Sequence, residues 1–415
     1  MSEILKTNKT FCRVPWVHSF ISPQGERKLC CISENVIGTN VTLDDMWNGD
    51  EMKDVRKKML NGETLKTCDR CNVNESSPVH TYRDYFNNGY SELIDDVISR
   101  TNEDGTFDGL PVALSYQTNI CNFKCKMCYE GYSSQIQSEK IKNGIEINVL
   151  NVSERERSIE IIKNELNNEK IYKNVLEIYW AGGEPLYWDV HWETLQMLID
   201  KDCAKNVQLR YNTNLSIIEY KGKSIYEYFK HFKYVHFSSS IDGTGNIGEW
   251  IRSNLNYIKW KDNFSKIIKA KNEHDNINVF ISITVTTATI FDFENLYELC
   301  KEFDIVPSFQ TCYTGEVFNL MTPRAFPKKL IKPVLDKFLN NHLDDDNKLI
   351  DTFREYIEFL LNQHYHENDE GYIETFKRGI DNIQYLEKNR PHKNITFEDI
   401  LSYYPPLYEF YKNIS

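Results

Sequence analysis

Three cysteines fall within eight residues at Cys121-Asn-Phe-Lys-Cys125-Lys-Met-Cys128, shortly after the apolar segment Val112-Ala-Leu-Ser-Tyr116. Thiols at this C-x3-C-x2-C spacing, in a loop leaving a strand, can turn toward one point. Close-set thiolates are what iron–sulfur clusters use, usually four per cubane. A run that supplies three therefore leaves one iron open to a small molecule, which points to chemistry more than to electron storage. Structural zinc asks for four ligands, commonly as paired C-x2–4-C knuckles, and no Cys or His follows closely enough to close such a site.

A second set of thiols lies nearer the N-terminus at Cys12, Cys30 and the pair Cys68-Asp-Arg-Cys71. Pro23-Gln-Gly25 makes a turn between two short extended pieces, and the hairpin so formed brings Cys12 beside Cys30. The C-x2-C knuckle follows an amphipathic helix around Met46–Leu60. The result is a four-thiolate cage suited to a 4Fe-4S cluster or to a zinc ribbon. Cys31 adjoins Cys30, but side chains of consecutive strand residues point to opposite faces.

The C-x3-C-x2-C run resembles the signature of the radical S-adenosylmethionine (radical SAM) enzymes, with Met127 at the usually bulky position before the last cysteine. The resemblance implies a 4Fe-4S cluster held by Cys121, Cys125 and Cys128, with the amino and carboxylate groups of SAM on the fourth iron. One-electron reduction, from a donor such as flavodoxin or ferredoxin, would cleave SAM to a 5′-deoxyadenosyl radical that abstracts hydrogen from substrate. The stretch Gly182-Gly183-Glu184-Pro185 matches the family's GGE-P motif, whose backbone receives the SAM amino group. Two glycines allow close backbone approach and positive φ, and Pro185 fixes the turn. Asn214, Ser240 and Asp242 end later strands with groups suited to the SAM ribose or carboxylate. Arg252 resembles the arginine that pairs with that carboxylate, a bidentate role that lysine does not fill. The plainer readings are Asp242 as a helix cap and Arg252 as a solvated charge.

The N-terminal cysteines resemble the auxiliary-cluster region called SPASM, or twitch in its shorter form. Cys12, twelve residues, Gly25, four residues and Cys30 reproduce its opening, and this spacing favours Cys30 over Cys31. Cys68-x2-Cys71 is similar to the pair that follows. No C-x5-C-x3-C continuation is found, so the single-cluster form is the better match. The region usually follows the radical SAM core, whereas here it precedes it. The resemblance implies a second, auxiliary 4Fe-4S cluster that accepts an electron from the substrate radical or helps position the substrate.

These loops need a frame. Apolar β-rich runs at Val112–Tyr116, Val175–Trp180, Val207–Tyr211, Tyr234–Ser240, Val279–Val285 and Val306–Gln310 alternate with helical runs. The helices centre on Ser153–Asn167, Trp192–Asp200, Ile217–Phe229, Trp250–Lys261 and Phe293–Lys301. Parallel strands need crossover helices, so the fold class is α/β. Six repeats agree with a partial (β/α)6 TIM barrel, whose functional groups sit at the C-terminal strand ends. Residues 1–80 read as the auxiliary cluster region, 81–110 as a connection, 111–322 as the radical SAM core and 323–415 as a helical C-terminal region. The last would contain helices at Lys328–Asn340, Leu349–Gln363, Gly371–Glu387 and Phe397–Ser402. Gln310 through Tyr313 end the sixth strand, with Cys312 as a possible hydrogen donor or a buried filler. His364-Tyr-His366 lies in a polar stretch and reads as solvated.

Composition sets outer limits. A chain of 415 residues with 40% hydrophobic and 13% aromatic residues has ample core material. A net charge of −12 argues against general nucleic-acid binding. The N-terminus lacks the apolar stretch of a signal peptide, and no run approaches the roughly 20 apolar residues of a membrane span. Eleven cysteines without a secretion signal read as reduced thiols or metal ligands in the cytoplasm. The substrate is expected to be a peptide or a small molecule such as a sugar, nucleotide or amino acid. The alternative is a non-catalytic iron–sulfur or zinc protein for electron transfer or scaffolding, which would bind no SAM.

Overall fold

The computed structural model describes residues 4, 7–74, 81–149, 151–312 and 319–415. The strands are β1 His18–Ile21, β2 Glu26–Lys28, β3 Gly38–Thr39, β4 Ala113–Thr118, β5 Lys124–Cys125, β6 Glu177–Gly182 and β7 Gln208–Thr213. They continue with β8 Glu219–Tyr220, β9 Lys223–Ser224, β10 Tyr234–Ser240, β11 Arg252–Ser253, β12 Ile277–Val285 and β13 Ser308–Thr311. The chain divides into two compact units. One comprises Met1–Asn119, Asn148–Arg210 and His231–Tyr234; the other comprises Ile120–Ile147, Tyr211–Lys230 and Val235–Ser415. The architecture is the mixed α/β one expected, with a parallel sheet core.

In the first unit β4 lies between two parallel neighbours, β1 and β6. Every residue of β4 is buried, as a strand covered on both faces requires. β1 then turns through Gly25, at φ 68°, into antiparallel β2 and β3. Arg27 on β2 is fully buried and pairs with Glu165 at 2.6 Å. Glu165 also accepts from Ser19 and Tyr116, so the hairpin, β4 and the helix Val152–Asn167 share one satisfied network. Removing one partner of such a buried pair costs about 3–5 kcal/mol. The single helix expected at Met46–Leu60 is instead two, Leu43–Trp47 and Asp50–Leu60. Gly49 caps the second, and a Cβ there would meet the Asp45 carbonyl.

In the second unit β10, β12 and β13 are parallel. β12 alternates buried and half-buried positions over nine residues, the period-2 pattern of a strand. Two expected helices are interrupted. Ile217–Phe229 contains the β8–β9 hairpin before a helix at Ile225–Phe229, because Lys221 and Gly222 both take positive φ in a two-residue turn. Trp250–Lys261 is broken after Ile251: Asn254 sits at φ 82° and Asn256 caps a new helix, Tyr257–Glu273. Five helices follow, at Lys328–Asn341, Lys348–Leu361, Tyr372–Asn389, Phe397–Leu401 and Pro405–Ile414. The last, led by Pro405 and Pro406, was not expected from the sequence. Phe293, Phe309, Phe338 and Phe353 pack edge-to-face or tilted in this unit. Among the described residues no helix is long and apolar enough to cross a membrane.

Candidate iron–sulfur and SAM site

The break at Arg252–Asn256 matters because it frees backbone to pair with the cysteine loop. β5 and β11 are antiparallel, with Cys125 opposite Arg252 and Lys124 opposite Ser253. The Lys126 amide donates to Ile251 O at 2.9 Å, and the Cys128 amide turns back to Cys125 O at 3.1 Å. Ser133 caps the following helix, Ser134–Lys142, and its hydroxyl donates to Phe123 O at 2.7 Å. Asn214 is buried beside the loop, donating to Asn122 Oδ1 at 3.0 Å and reaching Cys121 Sγ at 3.9 Å. Cys125 is buried, whereas Cys121, Met127 and Cys128 are half-buried.

Arg252 is 8% exposed and Asp242 is fully buried. They pair with each other, Nη2 to Oδ1 at 3.0 Å and Nε to Oδ2 at 2.7 Å. Asp242 Oδ1 also accepts from the Thr284 amide at 2.7 Å. Asp242 is therefore the partner of Arg252 and a brace between strand ends, and Arg252 is no solvated charge. Burial opposes the Arg252 charge, but Asp242 and then Cys125 more than offset it, and its pKa is raised. Burial also raises the Cys125 thiol, with Arg252 pulling it back. It pushes Cys128 up to about 12, helped by Cys125. Ser240, half-buried, ends β10 opposite Ser282.

The 182–185 stretch belongs to the first unit. Gly182 ends β6 opposite Thr118 at φ 102°, and a Cβ there would strike the Thr118 backbone. The Gly183 amide donates to Thr118 O at 2.5 Å. Glu184 is fully buried, and its Oε1 accepts from the Leu186 amide at 3.0 Å, capping a turn that starts at Pro185. Strand packing thus accounts for Gly182 by itself.

The four N-terminal thiols line one cavity with Leu29, Met59, Tyr82 and Arg83. Cys12 precedes the turn Val14–Val17, Cys30 follows β2, Cys68 closes the turn Lys66–Cys68 and Cys71 lies in helix Asp69–Asn74. A capping box between Thr81 and Asp84 starts the helix Tyr82–Gly89 and sets Tyr82 and Arg83 in its first turn. Cys31 does not line the cavity; its thiol is hydrogen-bonded with Tyr82. Burial pushes Cys12 up to about 12 and Cys30 well above the ordinary thiol value. Cys68 is raised by burial and pulled back by Arg83, a buried guanidinium held by Lys9 O at 3.1 Å and Asn72 Oδ1 at 2.8 Å. Sequence reasoning missed Arg83, which carries no local signal beyond its place after the capping box.

Buried thiols crowded together stay protonated unless a cation takes the protons' place, which is the behaviour of a thiolate metal site. Both cysteine sets fit an iron–sulfur group on donor chemistry.

Cys300 and Cys312 are buried, with thiols pushed up to about 12 by burial; Tyr313 lies outside the described residues. His364 is exposed as expected, but His366 is half-buried, and the two rings share the Asp369 carboxylate at 2.7 and 2.8 Å. A cavity of about 850 Å³ in the first unit, edged by Trp47, Asn48, Arg100 and Phe107, includes none of the cysteines.

Residues 115–300 match the radical SAM superfamily, and residues 12–72 match the SPASM iron–sulfur cluster-binding domain. No curated protein matches. Among solved structures, the chain is similar to native anSMEcpe with bound AdoMet, at 21% identity and TM-score 0.39, covering 61% of this chain and 64% of that one. It is also similar to Streptococcus suis SuiB bound to S-adenosylmethionine, at 12% identity and TM-score 0.38, covering 74% and 64%. The chain thus spans just under two thirds of the length of either.

Proposed function

We propose that this chain, which carries a radical SAM region and an N-terminal iron–sulfur cluster-binding region, is an enzyme that reductively cleaves SAM and takes a hydrogen from a peptide or small-molecule substrate. The observation that supports it most is the pairing of the C-x3-C-x2-C loop with the strand of Arg252, which sets a buried, ion-paired guanidinium opposite Cys125. When bound, a 4Fe-4S cluster and SAM supply one-electron chemistry, and the protein supplies orientation and electrostatics.

In this reading Cys121, Cys125 and Cys128 hold the cluster. Arg252, oriented by Asp242, offers its remaining N–H donors to a carboxylate. Asn214 fixes the start of the loop, and Ser240 offers a hydroxyl at the end of β10. The backbone at Gly182 and Gly183, with Glu184 and Pro185 shaping the turn, would receive the amino group of SAM, and Met127 would serve as a further cofactor-binding residue. Cys12, Cys30, Cys68 and Cys71 hold the auxiliary cluster. With all four thiols engaged no iron is left for substrate, which supports a role as electron acceptor. The domain limits proposed are 1–80, 81–110, 111–322 and 323–415. The electron donor is a flavodoxin or ferredoxin, and the compartment is the cytoplasm.

The test is anaerobic reconstitution, followed by iron, sulfide and zinc analysis and then SAM with dithionite. About eight irons per chain and release of 5′-deoxyadenosine are expected. Clusters without SAM binding would sink the enzyme reading and favour an electron carrier.

A further inference from the structure

We infer that Arg390, which lies well beyond the 115–300 radical SAM match, is a positioning residue for the Cys121–Cys128 loop and sets the retention and reduction potential of the cluster held there. The inference rests on the reading that this loop holds a cluster.

Arg390 immediately follows the helix Tyr372–Asn389 and is 3% exposed. Its Nη1 donates to Cys125 O at 3.0 Å, the backbone of the middle cysteine. Its Nε donates to both Glu139 oxygens, at 2.9 and 3.2 Å, while Nη2 lies 2.8 Å from Oε1. Glu139 stands on the helix Ser134–Lys142, which follows the cysteine loop after one short turn, and also holds Lys124 at 3.0 Å. The grip is returned by the loop itself. Lys126 Nζ donates to Arg390 O at 2.8 Å and to Trp250 O at 2.8 Å, and Lys124 Nζ donates to Asn389 O at 3.3 Å. The two residues that flank Cys125 thus hold the helix end, and the helix end holds Cys125.

Two consequences follow from this lock. A planar guanidinium fixed by Glu139 gives Cys125 one backbone position, which a flexible ammonium would do less well. A cluster potential also depends on net charge and on hydrogen bonds near its sulfurs. A cation beside Cys125 and Cys128 favours the reduced, more negative state. The outer partners of metal ligands commonly change affinity by 10- to 100-fold.

The test compares the full-length parent, R390Q, R390K and a C121A/C125A/C128A variant after anaerobic reconstitution. Iron content and EPR-monitored redox titration are read for each. R390Q is expected to keep the auxiliary signal while the loop cluster is either selectively lost or at least tenfold harder to reduce, a shift of 59 mV for one electron. R390K, which keeps the charge without the fork, is expected to hold the parental potential with poorer retention. An R390Q protein with the parental potential and iron content overturns the inference. So does loss of both clusters alike, which would assign Arg390 to the fold. If the triple-cysteine variant keeps both signals, the loop holds no cluster, and the proposed function fails before the inference is reached.

Discussion

The two cysteine sites solve the same problem in opposite ways. The cage of the first unit draws thiols from Cys12 to Cys71, across a hairpin, two helices and a knuckle, and its preorganisation is long-range. The loop of the second unit gathers its thiols within eight residues, so its spacing is local, but what holds it comes from residues 139, 252 and 390. A site whose ligands are scattered inherits its rigidity from the fold. A site whose ligands are adjacent needs rigidity brought to it. The difference predicts where each will fail: the cage when its hairpin loosens, the loop when its outer partners are removed.

The largest expected effect comes from C121A/C125A/C128A, which should abolish 5′-deoxyadenosine formation and lower iron from about eight to about four per chain. Unchanged iron would break the comparison at once. The reciprocal variant, C68A/C71A, should remove the other four irons and leave SAM binding intact. If it instead releases one zinc per chain, the cage is a structural ribbon and the electron-acceptor role falls.

Acid should separate the two sites more gently. His18, buried between Leu29 O at 2.9 Å and Ser115 Oγ at 2.7 Å, has its pKa lowered to about 4 by burial. The neutral ring therefore contributes stability above about pH 6.5, and that contribution is lost as the pH falls toward 4, at most about 3 kcal/mol. Because Leu29 adjoins Cys30, cage iron should be released before loop iron over this window, and H18Q should flatten the difference. Simultaneous release followed by iron assay would refute it. The smallest effect concerns neighbours: C30A should lose the cage cluster, while C31A should keep it with iron content unchanged.

Much of this was legible in the sequence. The six core strands lie close to where β-rich runs placed them, because apolar runs bounded by polar turns carry their own signal. The cysteine spacings pointed to the two regions that match iron–sulfur families, and the four N-terminal thiols do line one cavity. What stayed hidden depends on partners distant in the chain. Nothing around Arg390 announces a guanidinium that will meet Cys125, and Lys126 within the loop looked like spacing between cysteines. The hairpin at Lys221-Gly222 and the break at Asn254 were lost inside helical runs because one or two residues at positive φ outweigh a longer apolar period.

The parallel pairing of β1 with β4 has a consequence for anyone who would divide this protein. His18 through Ile21 match Ala113 through Tyr116 residue for residue, so the N-terminal segment is a structural strand of the first unit's sheet and no detachable accessory. Cutting it away would strip β4 of its outer neighbour and leave a formerly buried strand with open amides and carbonyls. Such an edge templates aggregation. A shortened chain built to isolate the radical SAM region would then precipitate for reasons unrelated to its clusters, and single-cysteine variants of the whole chain are the safer instrument.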